Sequence, residues 1–249
     1  MNNASMPLHG HLKELRGALI RSLLSFLFAC VLSFYFSDFI LKWLTATLSA
    51  PLVFLSPTEV FLTDIKIALF AGLSLSLPVI LCEVARFILP GLVQNEKRIF
   101  YPSLIFASLS FYAGVAFAYF VAIPFALQFL ISYGQQKGVV PQISIAMYVD
   151  FHLKFLFSFG LIFEFPIVMV LLSRTGLLTV PFLIHTRKYA IIAAFIIAAI
   201  LTPTPDIFNQ CIMAIPLIIL YEIGILAVRV FGPSLSSDKV DRMEEENNR

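Results

Sequence analysis

Phe87-Ile88-Leu89-Pro90-Gly91-Leu92-Val93-Gln94-Asn95-Glu96-Lys97-Arg98 is a short, charged connector caught between two long apolar runs. A hairpin of that kind lies at a membrane surface, and its neighbours must be spans. Glu96 also puts a carboxylate on a face otherwise rich in Lys and Arg. An anion in that position fits a cationic ligand.

Working outward, the chain is 59% hydrophobic and 13% charged over 249 residues, with a mean hydropathy of +0.92. Soluble domains run about 45–50% apolar and about 25% charged, so this composition excludes a soluble globular chain. Cys30, Cys82 and Cys211 lie singly in apolar stretches, with no CxxC and no ligand-like spacing to the four histidines. They read as small buried side chains, neither disulfides nor metal ligands. Basic residues precede Leu23 to Tyr35, but no small-residue cleavage site follows. An uncleaved first span is expected there.

Six spans can be read, at about 17–35, 64–82, 99–123, 151–172, 189–201 and 207–228. The third has no charge from Ile99 to Gln136, longer than one crossing, so Pro124 to Tyr133 must continue or bend beyond it. The fifth is short: at ~1.5 Å per residue it rises only ~20 Å against a ~30 Å hydrocarbon core. Glu222 shortens the sixth in effect. Residues 1–232 are therefore expected to form one six-span domain, and 233–249, with Glu244-Glu245-Glu246, a disordered tail.

Six crossings put both ends on one side. That side would hold thirteen Lys and Arg, against four (Lys42, Lys66, Lys137 and Lys154) on the other. The bias predicts that both termini face the cytoplasm. Pro78, Pro124, Pro166 and Pro216 fall in four of the spans. Each removes a backbone donor and bends its helix, which predicts a curved, concave assembly of α-helices.

Several residues stand out chemically. His11-Leu12-Lys13-Glu14-Leu15-Arg16 precedes the first span and reads as an interfacial helix with solvated charges. Glu96 has an equally plain account, in the first turn of a helix capped by Asn95. Both carboxylates nevertheless share the cytoplasmic face. Together they suit a partner with adjacent arginines, because guanidinium binds carboxylate as a fork and lysine offers only a point charge. Glu164 lies deep in an apolar run beside Pro166 and must face protein or water. A hydrogen bond to another helix and a functional pocket explain it equally well. Glu222 reads as structural, and Asp206, closing Thr202-Pro203-Thr204-Pro205-Asp206, as the start of the sixth helix. There is no GxxxxGK[ST] loop, HExxH or nucleophile elbow. Enzyme function, ATP hydrolysis, a cofactor and a nucleic-acid partner are accordingly not expected.

Over about residues 7–231 the chain resembles the twin-arginine translocase subunit TatC family. The resemblance rests on His11 to Arg16, Leu55-Ser56-Pro57-Thr58-Glu59, Pro78 to Leu81, Phe87 to Arg98, Ala118-Tyr119-Phe120, Phe163-Glu164-Phe165-Pro166, Leu201 to Gln210, Ala214-Ile215-Pro216 and Tyr221-Glu222-Ile223, in that order. It implies a glove-shaped, six-span inner-membrane protein that receives the twin-arginine signal peptides of folded cargo. It further implies that Glu14 and Glu96 contact the signal's arginines, with Phe87, Pro90, Leu92, Arg98 and Arg16 in the same region. Glu164 matches the family's intramembrane carboxylate on the concave side, and Asp206 and Gln210 fall in its periplasmic turn. TatA and usually TatB, both single-span, are the implied partners in an oligomeric complex driven by the proton-motive force. Two features depart from the family pattern: Ala18 replaces a frequent second arginine, with Arg21 as a substitute, and Thr204 is an extra residue before Asp206. The rival readings are a proton-coupled secondary transporter using Glu164, disfavoured by the lack of duplicated halves, and a membrane-embedded enzyme.

Overall fold

Apolar runs in lipid must satisfy every backbone group internally, and the α-helix does this within one segment. A computed structural model describes residues 8–46, 48, 52–88, 94–174, 176–202 and 206–232, with residues 8–12, 88 and 94–101 described in backbone only. Among these, five helical runs are long and apolar enough to cross a membrane: Lys13–Tyr35, Glu59–Phe87, Pro102–Gln136, Ile145–Arg174 and Ile207–Phe231. They match the first four expected spans and the sixth.

The elements follow in order: α1 (Leu8–Tyr35), α2 (Ser37–Thr45), β1 (Leu52–Val53), α3 (Glu59–Ile88) and α4 (Gln94–Phe117). A π-helical turn, Ala118–Ala122, leads into α5 (Ile123–Gln136). Then come β2 (Ile143–Ser144), α6 (Ile145–Phe163), α7 (Phe165–Arg174), α8 (Val180–His185), α9 (Arg187–Leu201) and α10 (Ile207–Phe231). The third run thus continues past the expected end near Ile123. Pro124 has no N–H for the carbonyl of Phe120, and the widened turn just before it absorbs the defect.

Helix α9 has 15 residues, a rise of about 22 Å, so the expected shortness of the fifth run is real. Glu222 does not interrupt α10, which runs unbroken for 25 residues. Glutamate is a good helix former, and this one has a partner: Arg187 Nη2 at the start of α9 lies 2.7 Å from Glu222 Oε2.

Small residues set the closest helix contacts, as expected where lipid supplies no hydrophobic drive between helices. Ala18 and Ala29 of α1 and Ala68 and Ala85 of α3 are buried. A Cβ on Gly72 would collide with the Cys30 backbone, so α1 and α3 touch nearly main chain to main chain. Gly114 of α4 likewise abuts the Phe159 carbonyl of α6, and Gly160 abuts the Phe111 ring. The main core forms around Ile67, Ile123, Tyr148, Phe155, Phe159 and Met213.

At one end the short α2 is pinned by residues distant in sequence. Tyr119 stacks on Trp43 at 3.7 Å and donates to the Trp43 carbonyl at 2.9 Å. Tyr148 donates to the Leu44 carbonyl at 3.0 Å. Beyond α2, β1 pairs in parallel with β2. The helices curve around an open apolar groove of about 460 Å³, bordered by Phe36, Trp43, Leu75 and Tyr112. Outward faces are apolar and exposed, as at Phe28, Phe120 and Ile200. Lipid is their natural solvent.

Candidate functional site

The charged end of the α1–α3 pair is organised by Glu83. Arg21 of α1 donates to its Oε2 through Nε at 2.8 Å, and Nη2 lies 2.7 Å from the same oxygen. Arg86, one turn along α3, donates to Oε1 at 2.7 Å. Glu83 is 3% exposed, while both guanidinium side chains are more than half exposed. A buried carboxylate is tolerable because each oxygen has a cationic donor. Ala18 is buried against α3, whereas Arg21 spans to the neighbouring helix.

Two contacts mark the register between the two antiparallel helices. Cys30 faces Gly72, and Arg21 faces Glu83 nearer the α1 N-terminus. Glu14 lies seven residues, two turns or about 10 Å, before Arg21 on the same helical face. That puts Glu14 level with the end of α3, past half-buried Phe87. Glu14 and Arg16 are exposed and Leu15 is half-buried, as an interfacial helix requires. Pro90 and Leu92 lie outside the described residues, as do the side chains of Glu96 and Arg98. In backbone, α4 begins at Gln94. Asn95 therefore sits inside the first turn instead of capping it, and Glu96 is in that turn.

Sequence reasoning missed Glu83. Its signal was present in the i, i+3 spacing to Arg86 and in the lone Arg21 inside an apolar run. Either charge alone resembles a routine membrane flank.

Glu164 stands where the fourth crossing breaks. Helix α6 ends at Phe163, Glu164 closes it, and α7 starts at Phe165 with Pro166 next. The freed carbonyl with a cross-helix partner is that of Phe163: Ser110 of α4 donates its hydroxyl there at 2.6 Å. Glu164 Oε1 is buried and has no hydrogen-bond partner among the described residues. The side chain is not among those lining the large groove.

The opposite end holds a second set of polar residues. Asp206 caps α10, accepting from the Asn209 backbone N–H at 2.8 Å and from Asn209 Nδ2 at 2.9 Å. It does start the sixth run, despite the extra Thr204, which is outside the described residues along with Pro203 and Pro205. Gln210 ties α10 to α9 by donating to the Phe195 carbonyl at 2.9 Å. Glu59 opens α3 and gathers four donors: the Leu55, Ser56 and Ala146 backbone N–H groups and the Ser144 hydroxyl. It thereby joins the loop before α3 to the start of α6. Among the described residues no group of three or more His, Cys, Asp or Glu stands where a metal ion could be held.

These features coincide with known proteins. The family model for "Sec-independent protein translocase protein (TatC)" matches residues 10–216. The TatC protein of Aquifex aeolicus is 43% identical over 226 residues, covering 88% of this chain and 93% of its own. That of Carboxydothermus hydrogenoformans is 36% identical, covering 94% and 97%. The crystal structure of a twin-arginine translocase receptor, TatC, superposes with a TM-score of 0.78 at 42% identity, covering 88% of this chain and 98% of that one. The chain belongs to the TatC family and is a membrane subunit of a Tat protein translocase, not an enzyme.

Proposed function

We propose that this subunit is the receptor for paired arginines in the signal peptides of folded cargo, with Glu14 and Glu96 as the two carboxylates that bind them. Each guanidinium presents a fork of N–H donors that a carboxylate accepts in parallel, which distinguishes Arg from Lys by geometry as well as charge. Phe87, Pro90, Leu92, Arg98 and Arg16 complete the recognition region. The apolar part of the signal then packs against the membrane-facing helices. The observation that carries this reading is the α1–α3 register, fixed by Cys30 against Gly72 and Arg21 against Glu83. It brings Glu14 to the end of α3, from which the connector to Glu96 departs.

The surrounding biology follows the same reading. Helix α9 serves as the short fifth of six crossings in a domain spanning 1–232, with 233–249 a disordered tail. Both termini face the cytoplasm across the inner membrane, as the distribution of Lys and Arg supports. TatA and TatB are the single-span partners in an oligomeric complex, and the proton-motive force drives transport.

The test is photo-crosslinking of an Arg-Arg and a Lys-Lys signal peptide to the purified protein. Wild type should capture the Arg-Arg peptide preferentially, and Glu96→Gln should lose most of that preference. Unchanged capture of both peptides by Glu96→Gln removes Glu96 from the site. One observation favours a second reading, a proton-coupled transporter: the unpartnered, buried oxygen of Glu164. Solute uptake into liposomes by the lone protein, abolished by Glu164→Gln, would establish it.

A further inference from the structure

Glu83 is committed, since both its oxygens already hold guanidinium groups from the chain itself. It is therefore a poor acceptor for an arginine arriving from outside. Its location matters more than its charge. It is buried between α1 and α3 two turns from Glu14 on one helix and one turn from Phe87 on the other. Gly72 against Cys30 and the buried Ala18, Ala29, Ala68 and Ala85 let the helices approach but offer no directional bond against axial sliding. A charge-assisted fork has a defined direction and length, so this pair can lock what Ala and Gly merely permit.

We propose that Glu83 is a positioning residue for arginine-pair recognition: by clamping Arg21 of α1 and Arg86 of α3, it fixes how far Glu14 stands from the end of α3. This rests on the receptor reading above. A binding site for two adjacent guanidinium groups needs its carboxylates held to a fraction of an ångström, and a loose second carboxylate degrades specificity before affinity. Removing the clamp should thus weaken the preference for Arg-Arg over Lys-Lys.

The experiment compares four full-length proteins, the wild type, Glu83→Gln, Arg21→Gln and Glu14→Gln, with the same Arg-Arg and Lys-Lys signal peptides. In parallel, spin labels at Lys13→Cys and Val84→Cys report the α1–α3 distance with the native cysteines replaced. Glu83→Gln should bind the Arg-Arg peptide roughly tenfold more weakly, the loss of about one charge-assisted hydrogen bond. Its Arg-over-Lys ratio should fall and the label distance distribution should broaden. Arg21→Gln should do the same, and it provides a folded test because Arg86 still neutralises Glu83. Wild-type affinity and selectivity in Arg21→Gln or Glu83→Gln, with binding lost in Glu14→Gln, overturns the positioning role and leaves the receptor reading intact. Weakened binding with an unchanged distance distribution also overturns it, since Glu83 would then act as a direct ligand. Unchanged binding in Glu14→Gln defeats the receptor reading itself.

Discussion

A hydroxyl in a membrane helix has two options, its own preceding turn or another helix, and the consequences differ. Ser108 takes the first, donating to the Leu104 carbonyl four residues back. Ser110 takes the second and satisfies the Phe163 carbonyl at the α6–α7 break. Ser110→Ala should therefore destabilise the fold by ~0.5–1.5 kcal/mol, whereas Ser108→Ala should be near neutral. Unfolding in detergent reads both, and equal effects would show that the cross-helix bond is not what holds the break. Glu59→Ala should lower the thermal midpoint more than Glu59→Gln does, because it strips an acceptor from four donors shared by two loops. At this scale the sequence spoke unevenly. Glu164 beside Pro166 announced a broken helix, and Asp206 after two prolines announced a helix start. Glu83 was silent, because a carboxylate at a membrane edge looks solvated until the arginine on another helix is seen.

At the level of helices, the number of methyl groups at a contact decides how closely two backbones meet. Gly72→Ala should cost ~1–3 kcal/mol through overpacking against the Cys30 backbone. Gly134→Ala, in α5 with open space around it, should be neutral or gain up to ~1 kcal/mol from helix propensity. Parallel denaturation of the two variants checks the contrast, and similar shifts would mean that α1 and α3 are less tightly apposed than described. The long apolar runs were legible because twenty lipid-facing residues leave no other structure available. The short α2 was not, since a nine-residue helix owes its place to Tyr119 and Tyr148, about 76 and 104 residues away from the carbonyls they bind. Such tertiary support leaves no local pattern. The setting of Glu222 was hidden for a related reason: its partner lies on α9.

For the whole molecule, topology is the first consequence to check. With native cysteines replaced, a cysteine at Lys137 should react with an impermeant maleimide added outside spheroplasts, and one at Lys188 only after permeabilisation. The opposite pattern would invert the orientation and move Glu14 to the wrong face. The helical membrane architecture was readable from hydropathy and proline placement, because the bilayer restricts the alternatives so strongly. The proposed recognition site is legible in the sequence only as a set of residue types. Its assembly depends on helix register, which arises from Ala, Gly and one buried ion cluster and from no sequence motif. The central claim is that carboxylates at positions 14 and 96 lie together and grip a pair of arginines. Its most direct test is a short bifunctional thiol reagent applied to the Glu14→Cys/Glu96→Cys double variant, alone and with an Arg-Arg signal peptide bound beforehand to the wild type as control. The account predicts efficient joining of the two cysteines in the folded protein. If each cysteine labels singly but only long reagents bridge them, the two groups do not share a site and the receptor mechanism is wrong.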